Sequence, residues 1–173
     1  MRNSKMKGFT LIELIVVIAI IGVLAAILVP SMMGYVGESK LSTANSNAKL
    51  VFTNTATYAT KCEVAGFPMS AGNGLSSATS LKTDAQTPST VSAPSAAADI
   101  NLTNALRCLM GSAADSSGYC KVTLSASGSP TASAWAKSTS DTYVGGYPTA
   151  ATDKTTGGIG QTTPNPNQTP NNG

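Results

Sequence analysis

The residue with the clearest chemical consequence in this chain of 173 residues is Glu13, a carboxylate inside an apolar run. Sixteen residues without a charged or polar side chain follow it, from Leu14 to Val29. A carboxylate is costly in lipid or in a protein interior unless a positive group or hydrogen-bond donors compensate it. The sequence therefore predicts that Glu13 meets a positively charged partner.

The rest of the chain offers little for catalysis. It contains no histidine, which removes Ser-His-Asp and Cys-His arrangements and most catalytic zinc sites. Its aspartates are scattered without a paired spacing, and no glycine-rich phosphate loop or dinucleotide fingerprint occurs. A basic run with interleaved aromatics is also missing from the sequence. We therefore expect no enzyme activity, no cofactor, no metal site and no nucleic-acid partner.

Three positive side chains, Arg2, Lys5 and Lys7, precede the apolar run. A cleaved secretory signal peptide would share this basic start, but its apolar segment has only about 7–15 residues. An uncleaved signal anchor is physically sound, since Phe9 to Val29 would form about 31 Å of helix, enough to cross one bilayer. The basic residues would then stay in the cytoplasm, but Glu13 would have no partner.

The segment from Gly8 to Leu14, GFTLIEL, resembles the prepilin processing motif of type IV pilins and type II secretion pseudopilins. The resemblance implies that a membrane peptidase cuts between Gly8 and Phe9 and then N-methylates Phe9. It also implies that Glu13 neutralises the terminal amine of a neighbouring subunit in a helical filament. In the alternative interpretation, Glu13 reaches the cytoplasmic headgroups and has no specific role.

One long helix is predicted from about Thr10 to Lys61, and the segment Gly66-Phe67-Pro68 is expected to end it. Gly22 and Pro30 fall where the resembled family places such residues, and both are expected to bend or loosen the helix. After Met33, small and apolar residues recur at a three-to-four spacing as far as Cys62, which indicates an amphipathic second half.

The predicted fold class is α+β: a long N-terminal helix, hydrophobic and then amphipathic, packed on a small antiparallel β-sheet domain, with a disordered C-terminal tail. Within the domain, the patterns predict a short extended piece near Leu81, a helix over 99–110 and strands over 119–127, 133–138 and 142–145. The tail is rich in Thr, Gly, Asn, Gln and Pro. The predicted boundaries are a removed leader at 1–8, a transmembrane or filament-core helix at 9–30, its amphipathic continuation at 31–62, the globular domain at 63–151 and the tail at 152–173.

The three cysteines are Cys62, Cys108 and Cys120. In an extracellular chain at least one disulfide is expected, and three single pairings are open. The short separation of Cys108 and Cys120 favours that pair, with Cys62 then free or bonded to another molecule. Three reduced, buried cysteines are the alternative.

The resemblance implies a structural subunit: the major pilin of a type IV pilus-like surface filament, for adhesion or motility. The implied partners are other copies of the chain, the prepilin peptidase, the assembly platform and its ATPase, and the bacterial inner or cell membrane, which holds the single-pass precursor before it joins the extracellular filament. One alternative is a pseudopilin of a type II secretion or DNA-uptake apparatus. Another is a pilin that binds a polysaccharide surface through Trp135, Tyr143 and Tyr147, provided that these aromatics are exposed rather than packed in the core.

Overall fold

A computed structural model describes residues 9–83, 90–111, 116–155 and 157–161. The predicted leader at 1–8 and the end of the predicted tail at 162–173 lie outside these residues. The described part contains a long N-terminal helix and a small four-stranded antiparallel sheet, which confirms the predicted α+β fold. The chain divides into two compact units, residues 1–38 and 39–173.

Helix α1 spans Leu11–Val64, close to the predicted range, and its helical assignment continues through Pro30. Its C-terminus is closed by two hydrogen bonds, from the Phe67 N–H to the Cys62 carbonyl (2.9 Å) and from the Gly66 N–H to the Glu63 carbonyl (3.0 Å). Gly66 has a φ of 84°, a left-handed conformation that glycine adopts without strain. This is a Schellman motif, and it confirms the predicted helix end at Gly66.

The sheet contains β1 (Leu75–Ser80), β2 (Tyr119–Leu124), β3 (Pro130–Ala136) and β4 (Gly145–Tyr147), hydrogen-bonded in that order. The last three correspond to the predicted strands, with ends that differ by several residues. Strand β1 was not predicted beyond a short extended piece near Leu81. Its sequence, LSSATS, has one large apolar residue, so antiparallel pairing with β2 rather than a hydrophobic pattern defines it.

Helix α2 (Leu102–Met110) begins later than the predicted residue 99, because Asn101 is its N-cap. The Asn101 side-chain oxygen accepts a hydrogen bond from the Asn104 N–H at 3.0 Å. The Asn101 N–H donates to the Tyr58 hydroxyl at 3.1 Å, which ties the start of α2 to α1. Single 3-10 turns occupy Ala71–Asn73 and Ala97–Asp99, and a one-turn helix α3 covers Gly158–Gln161.

The second half of α1 packs on the sheet through one face, as its predicted amphipathic pattern requires. The buried residues of this face are Ala44, Asn47, Ala48, Val51, Thr55, Tyr58 and Cys62. The approach to the sheet is close: the Ser133 hydroxyl donates to the Ala48 carbonyl at 2.7 Å. A Cβ at Gly145 would lie 2.0 Å from the Ala44 carbonyl carbon, so only glycine allows β4 to sit there.

Asn45 connects α1 to β4 and to the chain that follows it. Its side-chain oxygen accepts hydrogen bonds from the Gly146 N–H (3.0 Å) and the Ala151 N–H (2.9 Å). Its side-chain nitrogen donates to the Ala151 carbonyl at 2.9 Å. One side chain therefore satisfies three backbone groups on a segment about 100 residues away in sequence.

The segment predicted as a tail from residue 152 is packed in its first part. Ile159 is fully buried in a small cluster with Ala134, Ala136 and Val144. The Thr155 N–H donates to the Thr142 carbonyl at 2.8 Å. Composition indicated disorder here because this segment has so few apolar residues, but one isoleucine is enough to anchor it against the sheet.

Lys121 lies under the same segment and is 4% exposed. Its Nζ donates to the Gly160 carbonyl at 3.3 Å. Burial lowers the pKa of this lysine, because the charged form loses contact with water.

Candidate functional site

The N-terminus of α1 is organised by Thr10 and Glu13, the residue singled out from the sequence. The Thr10 N–H and hydroxyl both donate to Glu13 Oε2, at 2.8 and 2.7 Å. The Glu13 N–H in turn points at the Thr10 hydroxyl oxygen, at 3.3 Å. Thr10 is therefore the N-cap and Glu13 the third helical residue of a capping box, in which each side chain satisfies a backbone N–H of the other.

The signal for this cap was present in the sequence. The pattern Thr-x-x-Glu directly before an apolar run is typical of a helix start. The sequence analysis did not consider this cap, in which Thr10 supplies two donors within the same chain, and a partner for Glu13 in another molecule stays a prediction. The cap uses Oε2, and no described residue donates a hydrogen bond to Oε1.

The helix that follows the cap has an apolar surface without cover. The large apolar side chains between Phe9 and Val36 are 49–89% exposed. Within the described part of the chain, α1 is the one helix that is long and apolar enough to cross a membrane. A contiguous apolar surface of this length is not stable in water, so it needs lipid or other protein around it.

Gly22 and Pro30 lie within this exposed stretch. A Cβ at Gly22 would meet no atom within 4 Å, so nothing in the single chain requires glycine there. Next to Pro30, which has no N–H, the Ser31 hydroxyl donates to the Leu28 carbonyl at 2.9 Å. A bend at these two residues stays a prediction.

The predicted Cys108–Cys120 disulfide is not formed, and no disulfide joins any two of the three cysteines. Cys120 lies in β2 with its side chain in the core, fully buried, whereas Cys108 is half-buried on α2. Their closeness in sequence misled the prediction, because the strand directs Cys120 inward toward the face that α1 covers. Burial raises the pKa of the Cys120 thiol to about 12.

The three aromatics predicted as a surface for sugars do not form one exposed face. Trp135 is a core residue, 3% exposed, and its indole N–H donates to the Ser116 carbonyl at 2.9 Å. Tyr147 packs edge-on against Phe52, with ring centroids 4.8 Å apart. The prediction of Trp135 as an exposed ligand residue is therefore wrong, because Trp135 lies on the same face of β3 as Ser133, which contacts α1, and belongs to the core cluster that includes the buried residues of α1.

Tyr143 has a different environment, half-buried beside two lysines. The Lys40 and Lys154 ammonium groups lie 5.4 and 5.1 Å from the centroid of its ring. Such cation–π contacts hold the loop before β4 next to α1 and to the C-terminal segment. The described residues contain no cluster of three His, Cys, Asp or Glu side chains that could hold a metal ion.

Comparison with known proteins places the similarity at the N-terminus. A family model described as the prokaryotic N-terminal methylation motif matches residues 3–29. The chain is 49% identical over 51 residues to the type IV major pilin protein PilA of Myxococcus xanthus, a match that covers 30% of this chain and 23% of that protein. It is 57% identical over 44 residues to the fimbrial protein EcpC of Eikenella corrodens, covering 25% and 29%.

A third relative, the type IV major pilin protein PilE1 of Neisseria gonorrhoeae, is 50% identical over 42 residues, covering 24% of this chain and 26% of the relative. These matches span about a quarter of the length of the relatives, and no solved structure matches the chain. The chain therefore carries the prokaryotic N-terminal methylation motif within residues 3–29, and its N-terminal region is similar to that of type IV major pilins and fimbrial proteins.

Proposed function

We propose that this chain is the major pilin of a type IV pilus-like surface filament. The observation that carries the proposal is the helix that follows the methylation motif, whose large apolar side chains are 49–89% exposed between Phe9 and Val36. Such a helix fits a subunit that is first held in a membrane and later surrounded by identical helices. The role is structural, as the names of the related major pilins and fimbrial proteins suggest.

We propose that the subunit is processed and assembled in two stages. In the first, the prepilin peptidase cuts between Gly8 and Phe9 and N-methylates Phe9, which leaves a positive amine at the start of the apolar segment. In the second, the assembly platform and its ATPase move the subunit from lipid into the filament. Because lipid is as apolar as the filament core, this transfer gains little from hydrophobicity itself, and polar contacts contribute to the choice of register.

Glu13 is proposed to be the main polar contact. Its carboxylate would pair with the Phe9 amine of a neighbouring subunit, so that neither charge remains alone in an apolar interior. This pairing gives each new subunit a position relative to the previous one that apolar contacts alone do not specify.

The experiment is intact-mass analysis and N-terminal sequencing of the protein in filaments sheared from cells. A chain that begins at N-methyl-Phe9 in the sheared fraction supports processing and filament formation together. A processed chain found only in the membrane would favour a pseudopilin, and a chain that still begins at Met1 would favour a plain signal anchor.

Glu13→Ala tests the pairing within the same preparation. We expect normal processing at Phe9 and a filament yield at least tenfold lower than that of the wild type. The matched control is Glu38→Ala, which removes another exposed carboxylate of α1 and should leave the yield unchanged. A normal yield of Glu13→Ala filaments would refute the pairing.

A further inference from the structure

We infer that residues 157–161 form a strap that closes over the outer face of the sheet and opens without unfolding of the domain beneath it. Opening exposes an apolar surface and the amine of Lys121. The inference goes beyond the proposed function and does not depend on it, because every contact that carries it lies within the unit formed by residues 39–173.

The two faces of the sheet are covered in different ways. Neighbouring residues of a strand point to opposite faces. Cys120 of β2 belongs to the core cluster that α1 covers, whereas the next residue, Lys121, donates from Nζ to the Gly160 carbonyl at 3.3 Å. Ala134, the partner of Lys121 on β3, packs in the cluster around Ile159. A long helix therefore covers the inner face, and the five residues of the strap cover the centre of the outer face.

Few contacts hold the strap in place. Ile159 is its one large apolar side chain, since the other four residues are three glycines and a glutamine. The chain approaches the strap through Thr155, whose N–H and hydroxyl both donate to the Thr142 carbonyl, at 2.8 and 3.2 Å. The strap adds no strand to the four-stranded sheet. Its release therefore leaves the hydrogen bonds between the strands and the inner core intact, which is the condition for a local opening.

Lys121 makes the closed position less favourable than a purely apolar contact would be. Its side chain is almost fully buried beneath the strap. A charged amine loses its water there, and burial lowers the pKa of Lys121 for this reason. The Gly160 carbonyl replaces part of the lost hydration. Opening returns the amine to water, and that gain offsets part of the contact that Ile159 loses.

The closed position is defined by shape as well as by Ile159. Gly158 has a φ of 67°, and a Cβ at this residue would overlap the Thr139 carbonyl oxygen. Glycine alone combines this conformation with so close an approach. The strap can therefore be displaced by two independent substitutions, one that removes its apolar side chain and one that blocks its approach to the neighbouring loop.

The test uses Lys121 and Cys120 as adjacent probes on opposite faces of β2. The full chain in detergent micelles is treated with an amine-acetylating or a thiol-alkylating reagent, and labelling of each residue is followed by mass spectrometry. Lys49, which is exposed on α1, gives the rate for an accessible amine. We expect Lys121 of the wild type to react more slowly than Lys49 by about tenfold or more. Equal rates would overturn the inference, because the strap would then not cover Lys121.

Urea separates local opening from global unfolding in the wild-type chain. A local opening exposes little surface, so labelling of Lys121 should change less than about threefold at urea concentrations below the unfolding transition. Labelling of Cys120 should rise steeply over the same range, because this thiol becomes accessible when the inner core opens. A parallel rise at both residues would show that Lys121 is exposed by unfolding of the whole domain, and the inference would fail.

Two substitutions in the strap test its hold on the sheet. Ile159→Ala should raise the labelling rate of Lys121 by about tenfold or more, because a fully buried side chain is truncated. Gly158→Ala should raise it as well, since the added Cβ collides with a backbone carbonyl. In both variants Cys120 should keep its wild-type rate.

The matched control is Val64→Ala, at an exposed residue at the end of α1, which should change neither rate. The fluorescence of the buried Trp135 shows whether each variant is folded. If a strap variant does not fold, the urea series on the wild type still decides the question. An unchanged rate at Lys121 in both folded variants would overturn the inference, and so would an equal acceleration at Cys120.

Discussion

Asn45→Ala should destabilise the unit formed by residues 39–173 more than its exposure suggests. The side chain makes three hydrogen bonds, to the Gly146 N–H and to both backbone groups of Ala151, all between 2.9 and 3.0 Å. Each such bond contributes about 0.5–1.5 kcal/mol net. Alanine recovers about 0.5 kcal/mol of helix propensity. We therefore expect the free energy of unfolding to fall by about 1–4 kcal/mol.

Urea denaturation of the full chain in detergent micelles measures this change through the fluorescence of Trp135. That residue is the only tryptophan in the chain and is 3% exposed, so its emission reports unfolding of the core around it. The matched control is Asn54→Ala, the same substitution on the same helix at a residue for which no hydrogen bond of its side chain is found among the described residues. If Asn45→Ala costs no more than Asn54→Ala, the three bonds do not hold α1 to β4.

Two further predictions concern the core. Ile159→Ala should lower the free energy of unfolding by about 2–5 kcal/mol in the same urea experiment, because Ile159 is fully buried. The control is Val64→Ala, at a residue that is 83% exposed. If both substitutions lower the free energy of unfolding equally little, Ile159 does not anchor the segment after residue 152. Cys120→Val tests the buried thiol, whose pKa burial raises from 9.0 to about 12. The folded chain keeps this proton while the unfolded chain loses it above pH 9, so its contribution to stability is complete below pH 9 and is lost as the pH rises toward 12. The difference in unfolding free energy between the wild type and Cys120→Val should therefore shift against the wild type by about 1.4 kcal/mol per pH unit above 9, and a difference independent of pH would contradict the burial of the thiol.

The helical half of this chain could be predicted from its sequence because its information is periodic. The apolar run from Phe9 to Val29 and the three-to-four spacing as far as Cys62 both indicate a helix at every turn. The structure confirms one continuous helix over Leu11–Val64. The end of the helix was equally readable, since Gly66 is the residue that a left-handed C-terminal turn favours.

The remaining elements depend on single long-range contacts, which leave no periodic signal. Strand β1 exists through its pairing with β2, where Thr79 lies opposite Cys120. The segment after residue 152 is fixed through Ile159 and through the bonds of Asn45 to Ala151. Composition averages over many residues and therefore cannot detect an anchor made of one side chain.

At the candidate site, the Thr-x-x-Glu pattern of the cap could be recognised in the sequence, whereas the pairing of Glu13 with a positive group stays a prediction. The cost of an unpaired charge directed attention to a partner with positive charge, although hydrogen-bond donors also compensate a carboxylate. The Thr10 cap satisfies Oε2 in the single chain. What a neighbouring subunit would add is therefore charge neutralisation at Oε1 rather than the first polar contact of Glu13.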